Sequence, residues 1–295
     1  MTRTIDPNIH AQFNNLIKYA IAPRPICLAS TVDKSGRVNL SPFSYFNFMS
    51  QHPPICVFSP LRRMRNGSTK HTLDNIKEVP EVVINVVNYA MVQQQSLAST
   101  EYPKEVDEFV KSGFTSIAAE LVTPPRVAES PIQLECKVHK VIELGDLPGA
   151  GNLILAEVLR MHMHEKLFDE YGGIDQARLD LVARLGGDWY CRVTQDNLFE
   201  VAKPQRKLGI GVDQLPQHIR QSTVLTGNHL GQLGNIEVLP SESEVEVLRG
   251  DPDVRDMLNT FIGDKATLQL HLHRRAAKLL DDGKVTQAWK VLLLA

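Results

Sequence analysis

The chain has 295 residues, 43% of them hydrophobic and 22% charged, which excludes a disordered chain and suffices for a full core without disulfide or metal staples. Lys plus Arg number 32 against 34 Asp plus Glu, a formal charge of −2. Any attraction for nucleic acid or anionic lipid therefore has to be local.

In chain order, residues 26–32 form an apolar run, and Asp33-Lys34-Ser35-Gly36 supplies turn chemistry with a glycine able to take positive φ. Residues 37–46 resume as a second strand, so a hairpin is expected. Residues 55–59 and 82–87 are short buried strands. Between them, 72–79 is a short amphipathic helix stopped by Pro80. Helical pieces follow at 89–100 and 106–112, the second ending at Gly113. Residues 124–126 are an extended linker. Long strands span 132–144 and 153–164, joined across 145–151. Hairpin joins without regular βαβ alternation point to an antiparallel barrel or sandwich. Beyond Pro204 the character changes, with helical periodicity at 254–262, 266–280 and 285–294. The expected division is a β-rich domain at 1–205 and a helical extension at 206–295.

The chemistry concentrates early. From Lys34 to Leu73, forty consecutive residues contain no Asp or Glu but include Lys34, Arg37, Arg62, Arg63, Arg65 and Lys70. Selective absence of negative charge suits an anion site, because a nearby carboxylate would cancel the field. Its densest part, Arg62-Arg63-Met64-Arg65-Asn66-Gly67-Ser68-Thr69-Lys70-His71-Thr72, lies just before a helix start, where backbone N–H groups favour phosphate. A solvated basic loop is the alternative. Ser41-Pro42-Phe43-Ser44-Tyr45-Phe46-Asn47-Phe48 sets hydroxyls and an amide among aromatics. That suits either a flat heteroaromatic ligand or an ordinary core strand. In Arg184-Leu185-Gly186-Gly187-Asp188-Trp189-Tyr190 the paired glycines allow close backbone approach, or simply a turn.

Other signals are weak. His162-Met163-His164 and His271-Leu272-His273 lack a third ligand nearby, and Gly209-Ile210-Gly211 lacks the third glycine of a dinucleotide fingerprint. No Gly-x-Ser-x-Gly or His-Glu-x-x-His is present. Cys27, Cys56, Cys136 and Cys191 form no Cys-x-x-Cys pair, which fits a reducing compartment. With a polar N-terminus and no apolar run near the roughly 20 residues of a membrane span, a cytoplasmic protein is expected.

Together these residues resemble the flavin reductase-like proteins with the FMN-binding split barrel. The resemblance rests on Pro23-Arg24-Pro25, Ser30-Thr31-Val32-Asp33 with Gly36 and Asn39, and Ser41-Pro42-Phe43-Ser44-Tyr45-Phe46-Asn47. It continues through Pro53-Pro54, Ser59, Lys70-His71-Thr72, Asn75-Ile76 and Asn85-Val86-Val87. The last motifs are Pro125 to Pro131 and Arg184 to Tyr190, so it covers about residues 15–205. It implies a mainly β fold with helices, an antiparallel split β-barrel, that dimerises around FMN. Ser44, Phe46 and Asn47 would line the isoalloxazine. Ser59, Lys70, His71 and Thr72 would bind the phosphate end, with Arg65 and Ser68 of the basic loop and Arg184 and Gly186 as further cofactor candidates. His71 stands where many members carry an acidic residue. The extension at 206–295 has no counterpart in the minimal family; covering the flavin, reinforcing a dimer and selecting a partner all remain open.

The leading expectation is an FMN-dependent oxidoreductase in which NADH or NADPH stacks on the flavin and delivers hydride, with no catalytic side chain and no metal. Alternatives are an FMN-binding electron carrier served by a protein partner, and a non-catalytic binding protein that keeps the fold. A homodimer is expected, without nucleic-acid or membrane partners.

Overall fold

The structure is a computed structural model and describes residues 2–10, 12–204 and 208–294. It divides into two compact units, Met1–Phe199 and Glu200–Ala295. The boundary expected between residues 205 and 206 lies outside the described residues.

The first unit is built on β2 (Cys27–Val32), β3 (Val38–Phe43), β4 (Phe46–Gln51), β5 (Pro54–Phe58), β6 (Glu81–Val86), β9 (Ile132–Glu143) and β10 (Asn152–Met163), after a two-residue strand β1 (Arg24–Pro25). These seven form one sheet in the order β3-β2-β6-β9-β10-β5-β4, antiparallel at every pairing. Two short strands, β7 (Ser116–Ile117) and β8 (Arg126–Val127), pair with each other, the latter where an extended linker is expected. A third sheet has the order β1-β11-β12, with β11 at Val182–Arg184 and β12 at Tyr190–Arg192.

Burial explains the apolar runs. Cys27 and Ala29 join Phe43, Cys56, Phe58, Ile84, Cys136 and Ile154 in one core cluster. Leu28 faces the other way, with Ile26, Leu40, Met91, Phe109 and Phe114. β2 is thus covered on both faces, which is why its sequence does not alternate. The expected hairpin forms: Gly36 takes φ +80°, and Asp33 Oδ1 accepts the backbone N–H groups of Ser35 and Arg37.

The strand expected at 37–46 ends instead at Phe43, and β4 begins at Phe46. The reason is topological. β3 and β4 are the two edges of the sheet, yet only Ser44 and Tyr45 separate them in sequence. A sheet whose edges are joined by so short a link has to curl until they nearly meet, which makes it a split barrel with its seam at these two residues. Register shifts between β9 and β10, at Leu155/Ala156 and Val158/Arg160, supply bends. Among the helices, α1 (Phe13–Ala20) precedes the barrel, and α2 (His71–Glu78) contributes Leu73 and Ile76 to its interior. On the outer face, α3 (Val92–Leu97) and α4 (Glu108–Ser112) match the two expected pieces, and α5 (Gln176–Leu179) precedes β11.

The second unit is helical: α6 (Gln217–Arg220), α7 (Gly227–Gly234), α8 (Glu242–Arg249), α9 (Pro252–Thr260), α10 (Lys265–Asp281) and α11 (Val285–Leu292). Its own core surrounds the fully buried Trp289, whose Nε1–H donates to the Leu233 carbonyl at 3.1 Å. The Gly209-Ile210-Gly211 motif is a packing device. Ile210 N–H donates to Ile236 O and Gly211 N–H to Gly234 O, and a side chain at Gly209 would strike the Gly234 carbonyl. His271 and His273 stand on α10, where residues two apart do not share a face. Among the described residues no helix is long and apolar enough to cross a membrane, and no side-chain cluster is arranged to hold a metal.

Candidate functional site

The barrel seam opens into a cleft of about 630 Å³. Pro42, Phe43, Ser44 and Tyr45 line it at the seam, Ser59 and Leu61 follow β5, and Arg62, Arg63, Met64 and Lys70 come from the basic loop. Arg24 and Arg184 enter from the small sheet, and Asn15, Lys18 and Tyr19 from α1. Two adjoining recesses share residues with it. One lies at the start of α2, among Asn39, Lys70, His71, Thr72 and Ser99. The other lies between Phe43, Ser44, Gln95, Arg184 and Tyr190.

The end near α2 gathers basic side chains. Lys70 is the residue before the helix, and no side chain caps that terminus. Its Nζ stands 5.6 Å from the centroid of the Phe43 ring, and burial pushes the ammonium pKa below its ordinary value, with Glu101 opposing the shift. Burial, then the charge of Arg63, pushes the pKa of His71 below its ordinary value. Thr72 is fully buried and accepts a hydrogen bond from Asn39 Nδ2 at 3.0 Å. Arg63 is fixed by donating from Nη1 to the Thr69 carbonyl and to Ser68 Oγ. Its Nε is buried without a hydrogen-bond partner, 3.4 Å from Glu101 Oε1. Ser68 itself donates to Asn66 Oδ1, whereas Arg65 is largely exposed and, among the described residues, pairs only with Glu101, at 3.8 Å.

The other end is flat and aromatic. Ser44 and Tyr45 occupy the seam, and the Arg24 guanidinium lies 5.7 Å from the Tyr45 ring. Ser59 is buried, its Oγ accepting the Asn152 N–H at 3.1 Å. The Arg184 guanidinium sits 4.6 Å from the Tyr190 ring and donates to the Gly187 carbonyl. Gly186 lies directly beneath the Tyr19 ring, where a methyl group would overlap the ring carbons. Phe46 packs against the barrel interior, while Asn47 is exposed and its Oδ1 accepts the Phe48 N–H at 2.8 Å. The structure thus gathers Ser44, Ser59, Lys70, His71, Thr72 and Arg184 around the cleft system, with Gly186 beside it. It places Phe46 and Asn47 on β4, outside the cleft lining.

Several lining residues are not singled out by sequence reasoning. Arg24 appears there only within the Pro23-Arg24-Pro25 motif and Arg63 only within the basic loop, while Tyr19 and Glu101 have no local signal. The amphipathic spacing of Leu16, Ile17 and Tyr19 could have revealed α1.

Residues 19–178, more than half of the chain, match the model of the flavin reductase like domain. The chain belongs to the flavin reductase-like family. An uncharacterized protein of Halalkalibacterium halodurans is 37% identical over 173 residues, 58% of this chain and 82% of that one. Nitrilotriacetate monooxygenase component B from Bacillus cereus is similar in structure, with a TM-score of 0.63 and 30% identity, covering 68% of this chain and 99% of the other. The Pseudomonas fluorescens 2-nitrobenzoate 2-nitroreductase NbaA follows at 0.59 and 28%, covering 68% and 96%. The flavin reductase-like match lies within the first unit.

Proposed function

We propose that this chain is an FMN-binding oxidoreductase that passes hydride from NADH or NADPH to FMN. The observation that carries the reading is the polarity of the cleft. Cations, the His71 imidazole and an uncapped helix terminus stand at one end, an aromatic and hydroxyl-bearing wall at the other. Its volume lies in the range that buries a small-molecule ligand. The orphaned Nε of Arg63 and the buried ammonium of Lys70 suit a phosphate, whose oxygens would supply the acceptors both lack. Names of relatives point the same way, toward a monooxygenase component and a nitroreductase.

In this reading Lys70, Arg63 and the first N–H groups of α2 hold the phosphate, and His71 and Thr72 close its far side. Phe43, Ser44 and Tyr45 position the ring system, and Arg184 supplies positive charge to its polar edge. The flavin, when bound, supplies the redox chemistry; the protein binds and orients it and needs no acid, base or metal.

A homodimer accompanies this proposal, supported by Phe48 and Met49, which are exposed at 51% and 63% on edge strand β4. Sedimentation of wild type and Met49→Lys tests it. Four free cysteines, three of them buried, support a reducing, cytoplasmic compartment.

The deciding experiment is a visible absorption spectrum of the purified protein, followed by anaerobic NADH and NADPH. A flavin band that bleaches with one nucleotide supports the reductase and names its donor. A band that persists favours an electron carrier, and no band after FMN is added overturns flavin binding.

A further inference from the structure

We infer that Glu101 is a built-in counter-ion of the cleft, which competes with a ligand's phosphate for Arg63 and Arg65 and so restrains selection of phosphorylated over unphosphorylated flavin. The inference rests on the reading of the α2 end as the phosphate site. Glu101 does not belong to the acid-free stretch that supplies the cations; it follows α3 and joins them in the cleft lining. Among the described residues it is the one carboxylate lining the main cleft. Its Oε1 lies 3.4 Å from Arg63 Nε, and its Oε2 lies 3.8 Å from Arg65 Nη2.

Neither contact is a hydrogen bond. Arg63 Nε stays unpartnered although Glu101 is within ion-pair distance, so the carboxylate supplies charge without aligned acceptance. Neighbouring acids behave differently. Asp74 accepts the Thr69 hydroxyl at 2.6 Å, Glu108 accepts the Leu40 N–H at 3.1 Å, and Asp33 is bonded to Arg37. Glu101 accepts no hydrogen bond among the described residues, and 44% of its side chain is exposed. It is therefore the acid at this end that moves most cheaply, since a half-exposed ion pair in water is weakly held.

Charge counting gives the consequence. Arg63, Arg65 and Lys70 carry three positive charges, and Glu101 removes one. A phosphate monoester near pH 7 carries about −1.5 to −2. With Glu101 in place, the oxygens of such a group must displace the carboxylate or lie beside it. Either arrangement weakens phosphate binding relative to a neutral residue, and neither touches a ligand that lacks phosphate.

The test is the affinity of wild type and Glu101→Gln for FMN and for riboflavin, by fluorescence titration at low and high salt, with the melting temperature of each ligand-free protein. The expected result is FMN affinity about three- to tenfold tighter in Glu101→Gln, with riboflavin unchanged and the gain shrinking in high salt. The ligand-free variant should melt slightly lower, because Arg63 and Arg65 lose their counter-charge. A merely structural Glu101 would instead weaken both ligands together, and that result overturns the inference, as does an unchanged ratio. FMN bound no better than riboflavin by both wild type and Glu101→Gln overturns the phosphate reading itself, and this inference with it.

Discussion

Arg24 and Arg184 stand directly opposite one another across the antiparallel pairing of β1 and β11. Like charges in that position repel, so each has to be neutralised locally or by a ligand. Arg24 turns to backbone. Its Nη1 donates to the carbonyls of Lys18 and Ile21, both at 2.7 Å, and its Nη2 to Leu185 at 3.0 Å. Arg184 turns to the Tyr190 ring and the Gly187 carbonyl. Because Arg24 holds the last carbonyls of α1, it fastens that helix to the small sheet. Arg24→Ala should cost about 1.5–3 kcal/mol, the range for a hydrogen bond involving a charged group. Thermal unfolding measures the loss, and limited proteolysis should show cleavage moving to the segment around α1.

Lys70→Ala should weaken FMN by about tenfold to a hundredfold while leaving riboflavin nearly unchanged, as expected for one charge-assisted contact to phosphate. Parallel titrations with the two ligands make the comparison. An equal loss for both would remove Lys70 from the phosphate end.

Gly186→Ala tests the contact with Tyr19. The added methyl has no room unless the ring shifts, so α1 should loosen and ligand affinity should fall. Tyr19→Ala in the same chain removes the clash. The double mutant should then be less destabilised than the two single losses summed, a coupling that a thermodynamic cycle measures.

In the second unit, His273 is buried and hydrogen-bonds through Nδ1 to Ser222 Oγ at 2.8 Å. Burial first, and His218 second, push its pKa below the usual 6.5. The unfolded chain therefore takes up this proton at a higher pH than the folded one. Its contribution is fully present above about pH 6.5 and is lost as pH falls toward the lowered folded value. Melting of the second unit, followed by the fluorescence of the buried Trp289, should shift downward between pH 7.5 and 5.5. The shift should flatten in His273→Gln. Trp189 is 73% exposed and should report little change on unfolding.

The barrel was legible where chemistry and period agree. The hairpin of β2 and β3 announces itself through an apolar run, Gly36 and a second apolar run, and the long strands β9 and β10 through their length. The break at Ser44 was hidden, because aromatic and hydroxyl residues continue unchanged from Ser41 to Phe48. That break assigns the faces of β4: pairing with β5 turns Phe46 inward and leaves Asn47 outside. In the second unit, α7 and α8 escaped because each has only 8 residues and depends on capping by Thr226 and Ser241 as much as on periodicity. Glu101 lies in an irregular segment, and only the tertiary fold brings it to the cations.

The two-residue link at Ser44 and Tyr45 has a thermodynamic consequence. Phe43 belongs to one sheet edge, Ser59 follows the strand next to the other edge, and both face the same cleft. A ligand spanning them acts as a clasp: it is bound only when the cylinder is shut, so its binding energy adds to the free energy of opening the whole barrel. Amide exchange should then slow across β2, β6 and β9 as well as beside the ligand, with the free energy of protection rising in proportion to the logarithm of ligand concentration above saturation.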